Sequence, residues 1–118
     1  MKLKQLIEAE SALHKLMNTP LPAAVAFRLK RVVRVVQPEL QAYEEQRLKL
    51  VYELGEKDEK GQTIVTPENL PAFTEQIEAL FNEEVELNYK PLPIKDLGDT
   101  AVTTADLLLL DWLFVDEE

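Results

Sequence analysis

Apolar residues recur at spacings of three and four at Leu6, Ala9, Leu13 and Leu16, flanked by Leu3 and Ile7, which predicts an amphipathic helix from about Lys2 to Met17. Asn18-Thr19-Pro20 ends it, because a proline disfavours helical geometry in the residue before it. Pro22 suits the first turn of a second helix, where a missing N–H costs nothing, and so short a connection implies antiparallel packing. In that second helix, from about Pro22 to Leu54, the residues Leu29, Val33, Val36, Leu40, Tyr43, Arg47, Leu50 and Leu54 alternate at spacings of four and three. This is a heptad seam with one polar member. Its phase survives Pro38, so a bend rather than a break is expected there. A first helix of about 16 residues reaches only residues 22 to 38 of the second. Leu40, Tyr43, Arg47, Leu50 and Leu54 then need another cover, either the C-terminal helices with Phe73 and Trp112 or a second copy of the chain. The seam is thus a candidate self-association surface, and the reading leans to a dimer or higher oligomer.

After Gly55 the pattern shortens. Residues 56 to 61 form a polar loop ending in Gly61, and Thr63-Ile64-Val65 is a β-prone run. Thr66-Pro67 supplies a start signal for a helix from about Pro67 to Asn82 carrying Leu70, Phe73, Ile77, Leu80 and Phe81, with Pro71 near its first turn. Val85 to Tyr89 alternates with period two and predicts a strand pairing with Ile64-Val65. Lys90-Pro91-Leu92-Pro93-Ile94 must be extended, and Thr103 with Asp106 opens a short helix from Thr104 to about Phe114. The fold class that follows is α+β, mostly helical: a long N-terminal antiparallel helical hairpin, a small two-stranded β element and two shorter C-terminal helices. It is read as a single domain over 1–118, with 1–55 the hairpin and 56–118 an acidic α+β part.

Charge separates the two parts. Residues 1 to 55 hold nine Lys/Arg against six Glu, whereas residues 56 to 118 hold four Lys against sixteen Asp/Glu, within a net charge of −9. Such a balance disfavours general polyanion binding, which rests on clustered cations. Against that background Arg28, Lys30, Arg31 and Arg34 form a positive band at i, i+3 and i, i+4 spacing. The band is a candidate contact for phosphate or for an acidic protein, and internal compensation by the chain's own acidic part is the favoured alternative.

Catalytic signals are absent. With no Cys, one His (His14) and isolated glycines, no nucleophile system, thiolate metal site or phosphate loop is expected, and the reading is no enzyme, no cofactor and no metal. The densest acidic runs, Glu83-Glu84-Glu86 and Asp116-Glu117-Glu118, lack the spacing of a cation loop and read as solvated surface. Trp112, Leu113 and Phe114 beside Leu107 to Leu110 read as core. An N-terminal stretch interrupted by Glu8 and Glu10 does not fit a secretory signal, and Leu107 to Val115 is too short for a bilayer.

The phrases LPAAVAFRL, YELGEKDEKG, EEVELNYKPLPI and TTADLLLLDW, in this order across nearly the whole chain, resemble a family of small, functionally uncharacterised proteins of tailed bacteriophages and prophages. The resemblance implies a phage origin and an accessory or virion-associated role, in the cytoplasm of the bacterial host or with the virion. It carries over no activity and no functional residue. The expected function is therefore a non-enzymatic phage accessory protein acting by protein–protein binding, in virion assembly or on a host factor. Two rivals stand beside it: a nucleic-acid-associated protein using the basic band, and an acidic DNA-mimic inhibitor of a host nucleic-acid-binding enzyme. The expected partners are a phage or host protein, with a second copy of the chain also a candidate. Nucleic acid is disfavoured and no membrane is expected.

Overall fold

The computed structural model describes residues Met1 to Asp116; Glu117 and Glu118, from the C-terminal acidic run, lie outside the described residues. The fold is α+β and mostly helical. Helix α1, Leu3–Met17, buries Leu3, Leu6, Ala9, Ala12, Leu13 and Leu16, the stripe that the sequence spacing marks. It is closed at its end by local hydrogen bonds, the Asn18 Nδ2 donating to the His14 carbonyl (2.9 Å) and the Thr19 hydroxyl to that of Lys15 (2.7 Å). Helix α2, Ala23–Leu54, runs unbroken through Pro38 and buries Val25, Leu29, Val32, Val33 and Val36.

Helix α1 reaches further along α2 than its length alone suggests. Met17 lies near Leu29 and Val33, while Glu10 and His14 sit beside Leu40 and Glu44, and Ile7 faces the Tyr43–Arg47 turn. The connection bends at Thr19, whose N–H donates to the Leu16 carbonyl (3.1 Å), and Pro22 is extended just before α2. The expectation that α1 stops near residue 38 is therefore corrected.

The β element is also rearranged. Strand β1, Gly55–Lys57, follows α2 directly and pairs antiparallel with β2, Thr63–Val65, so that Glu56 faces Ile64. The turn between them is tied by Asp58, whose Oδ1 accepts from the backbone N–H of Lys60 and of Gln62, both at 2.9 Å. Gly61 there takes φ +80°, a conformation suited to glycine. This hairpin takes the partner that the sequence reading gave to Val85–Tyr89. That segment is extended but not a strand: its start is held by the chain's own N-terminus, with Val85 N–H donating to the Met1 carbonyl (2.8 Å) and Leu3 N–H to that of Glu83 (2.9 Å). Its period of two records alternate burial, with Val85 buried and Leu87 and Tyr89 half-buried over the core, which needs no neighbouring strand.

Helix α3, Leu70–Phe81, starts three residues later than expected, because Thr66–Asn69 closes a turn of its own and Pro71 occupies the first helical turn. Asn69 Nδ2 donates to the Leu54 carbonyl at 3.0 Å, fastening the start of α3 to the end of α2. Strand β3, Leu92–Pro93, then leads into a 3-10 turn at Ile94–Leu97, so Ile94 is not part of the extended run. Helix α4, Thr104–Leu109, opens with Thr103 Oγ1 accepting from Asp106 N–H (3.1 Å). It ends well before Phe114, because the chain turns at Leu110–Leu113 to bury both leucines and returns as β4, Phe114–Val115, parallel to β3. Among the described residues no helix is long and apolar enough to cross a membrane.

One core cluster joins α1, the first half of α2 and residues 85 to 113. No residue from 37 to 84 is buried. The fully enclosed core therefore ends on α2 near Val36 and resumes near Val85. What lies beyond it is an arm built of the second half of α2, the hairpin and α3. The chain is correspondingly elongated, 54 × 30 × 24 Å with a radius of gyration of 17.5 Å, against about 13.5 Å for a compact chain of this length.

Two substitutions test this architecture. Pro38 is exposed within α2, so Pro38→Ala restores a hydrogen bond to the Arg34 carbonyl without removing packing. It is expected to stabilise the protein by about 1–3 kcal/mol in urea melts, and a lowered midpoint would mean the proline is required for packing. At Gly55 an added Cβ would run into the Val51 carbonyl oxygen and lie 2.6 Å from that of Ile64. Gly55→Ala is expected to cost about 2 kcal/mol or more and to accelerate amide exchange across 54 to 65.

Candidate functional site

The four cations of the basic band diverge once α2 is folded. Arg28 points to the C-terminal part of the chain, where its Nη2 donates to Asp96 Oδ2 at 2.8 Å, with the carboxylate only 12% exposed. This is the internal compensation expected from the charge layout, delivered to one residue of the four. Arg31 and Lys30 instead flank the half-exposed ring of Phe27, at 4.7 and 5.9 Å from its centroid. Lys30, Arg31 and Arg34 have no carboxylate within ion-pair distance among the described residues.

Arg28 and Arg31 form one wall of a groove of about 620 Å³ whose other wall is the extended segment 88 to 93 with the 3-10 turn after it. That second wall contributes Lys90 and Lys95, which the sequence reading did not connect with the band. Lys90 has no ion pair among the described residues, while Lys95 is engaged in a contact of its own. Lys30 and Arg34 are not part of the lining. The one available signal was the alternation Lys90-Pro91-Leu92-Pro93-Ile94-Lys95, since two prolines make a stiff rim that holds flanking side chains apart. Nothing in the sequence says which helix that rim faces.

Tyr89 fixes this wall from behind. Its hydroxyl donates to the Trp112 carbonyl at 2.6 Å and its ring meets the indole edge-on, 5.9 Å between centroids. Burial pushes the Tyr89 hydroxyl above its ordinary pKa.

The second candidate surface, the seam, is only partly closed within the chain. Leu40, Tyr43, Arg47, Leu50 and Leu54 are all half-buried. Helix α3 lies along them, with the Tyr43 and Phe81 rings in tilted contact, 5.9 Å between centroids, and Phe73 half-buried. Trp112 packs against the core cluster at the other end of the molecule, so of the cover by C-terminal helices weighed as one alternative only the Phe73 part is present. Arg47 Nε donates to Glu44 Oε2 at 2.9 Å, and this hydrogen bond holds the Glu44 carboxyl below its usual range and raises Arg47. Burial raises Tyr43, an effect that neighbouring Arg47 opposes. Of the acidic runs, Glu84 pairs with the N-terminal ammonium at 3.5 Å. His14 is exposed at the rim of the shallow α1–α2 groove, and among the described residues no three potential metal ligands come together.

Because both tyrosines favour the neutral form in the folded chain, their contribution is complete below pH 10 and is lost as pH rises through their raised folded-state values. Tyr89→Phe is expected to cost about 1 kcal/mol at pH 8 through the lost hydrogen bond. The same variant is expected to flatten the fall in stability above pH 10, as read from denaturant melts across that range.

No protein-family model, curated protein or solved structure matches this chain.

Proposed function

We propose that this chain is a non-enzymatic phage accessory protein that acts by protein–protein contact, in virion assembly or on a host factor, within the bacterial cytoplasm or the virion. The observation that supports this reading is the arm of residues 37 to 84, which holds many large apolar side chains and buries none of them. Leu40, Leu50, Phe73 and Ile77 are half-covered, and Tyr52, Ile64 and Leu70 are at least half exposed. Helix α1 covers the near part of the arm, where Leu40, Tyr43 and Leu80 pack against the core, and beyond it two helices and a two-stranded hairpin make one layer, which needs a second one to enclose a core. The accessible surface is 8335 Å² for 13.5 kDa, against about 6,500 Å² for a compact monomer of that mass. The excess exceeds what one partner contributes to a standard protein–protein interface, about 800 Å².

The arm also carries twelve Asp/Glu against four Lys/Arg. A duplex approaching the molecule meets this charge as repulsion, which favours a protein partner over nucleic acid. A DNA-mimic inhibitor would use the acidic residues 56 to 118, which include much of this arm, and shares the chemistry of protein contact.

Affinity purification of the tagged full chain from phage-infected cells tests the reading, alongside a Leu50→Glu variant. A stoichiometric protein partner, lost in Leu50→Glu while Trp112 fluorescence and the core melt persist, is the expected result. Light scattering of the pure protein at low micromolar concentration identifies a second copy as that partner if the mass is twice 13.5 kDa. Nucleic acid as the sole companion, or a partner indifferent to Leu50→Glu, would overturn the proposal.

A further inference from the structure

Helix α2 carries a second row of residues on the face turned away from the core. Phe27, Arg31, Arg34, Glu45, Leu48 and Tyr52 lie on it, with Pro38 and Gln41 at its middle, at alternating spacings of four and three, and all of them are exposed. Phe27, Leu48 and Tyr52 are 53%, 42% and 68% exposed. The row is about 38 Å long, most of the 54 Å length of the molecule. It lies on the opposite side of the helix from the seam Leu40 to Leu54. We infer that this row is the contact surface of an antiparallel two-fold dimer with a second copy of the chain, the axis passing between residues 39 and 40.

Any helix face offers the spacing; the partner is selected by chemistry that complements its own reverse. When two copies run antiparallel about that axis, Phe27 meets Tyr52, Arg31 meets Leu48, Arg34 meets Glu45 and Pro38 meets Gln41, and the symmetry makes each pairing twice. Aromatic rings then close on each other at both ends of the contact. Arg31 and Arg34 have no carboxylate, and Glu45 no cation, within ion-pair distance among the described residues, so a single chain leaves these charges uncommitted. The Arg31 guanidinium rests over the Phe27 ring at 4.7 Å, which leaves its aliphatic stem to cover Leu48. Lys49, next to Leu48, brings a like charge toward Arg31, and Glu53, 4.0 Å from Lys49, offsets it.

The whole helix has the same polarity. Residues 23 to 37 hold Arg28, Lys30, Arg31 and Arg34 and no acid, whereas residues 38 to 54 hold four Glu against Arg47 and Lys49. This layout gains nothing from the helix's own dipole, since no acidic residue lies in the first turn and no basic residue in the last. An antiparallel neighbour places its acidic half and its negative dipole end beside the basic half. A parallel copy would set Arg34 against Arg34 and Glu45 against Glu45. A merely acidic protein would satisfy the two arginines but offer no cation to Glu45.

Sedimentation equilibrium of the full chain from about 1 to 100 μM tests the inference. The expected result is a reversible dimer of twice 13.5 kDa. Because each dimer holds two Arg34–Glu45 pairs, Arg34→Glu and Glu45→Arg are each expected to weaken association by about tenfold or more, with unchanged melting because both positions are exposed. Arg34→Glu combined with Glu45→Arg is expected to restore it to within about threefold. A monomer at every concentration would overturn the inference. So would a mass that rises beyond the dimer, association indifferent to Arg34→Glu, or losses in the single variants that the double variant does not repair. A dimer dissociated by Leu50→Glu and not by Arg34→Glu would belong to the seam and would overturn it equally. The protein-contact reading of the arm rests instead on a partner lost in Leu50→Glu, so the two fail separately.

Discussion

The packing of α1 against the rest of the chain is the interaction on which this structure depends. Its buried stripe meets Leu29, Val32, Val33 and Val36 of α2, and also Val85, Leu92, Leu97, Leu110 and Leu113. Ala9 and Ala12, both fully enclosed, keep that surface shallow enough for elements from both sides to approach closely. Burying a leucine or valine contributes about 1.5–3 kcal/mol, and nearly every such contribution is collected at this end of the molecule. The extended residues 85 to 93 and the short α4 have little regular hydrogen bonding of their own, and α1 provides the surface that gives them a fixed shape.

That asymmetry places the groove and the arm in different packing settings. The groove is framed by the well-buried end, with the buried Val32 and Leu92 in its lining and the Tyr89 hydroxyl bonded to the Trp112 carbonyl. Its cations are therefore held on a stiff support. The arm has no buried residue, so its amides are guarded by half-covered side chains and belong to the low-stability end of the molecule. Segments of that kind adapt to a partner more readily than an enclosed core does.

Helices were legible in the sequence where period and punctuation agreed. The stripe from Leu3 to Leu16, the seam of α2 and the Thr103 cap correspond to observed elements, because each is decided by neighbours within four residues. Partnerships were not legible. The strand Thr63–Val65 was identified but given to Val85–Tyr89, since a three-residue β1 reading Gly-Glu-Lys has no β signature and becomes a strand only through its hairpin turn. The pairing of Leu92–Pro93 with Phe114–Val115 rests on a turn at Leu110–Leu113 that the run of leucines conceals as helix. For the site, Arg28 and Arg31 were visible as a band on one helix. Lys90 and Lys95 could not be joined to them, because about 60 residues of chain separate the two walls and only tertiary packing brings them together.

The hydrogen bonds from Leu3 to Glu83 and from Val85 to Met1 have a consequence for the order in which the protein is made. Because synthesis runs from N- to C-terminus, the start of α1 is matched to residues 80 or more positions later, and the core they share closes only at Leu113. At translation rates of about 5–20 residues per second, α1 spends on the order of ten seconds without its final neighbours. Throughout that interval its leucine stripe has only the helix directly behind it to lean on. The native core is complete only once residues 85 to 113 have emerged and are fastened to α1.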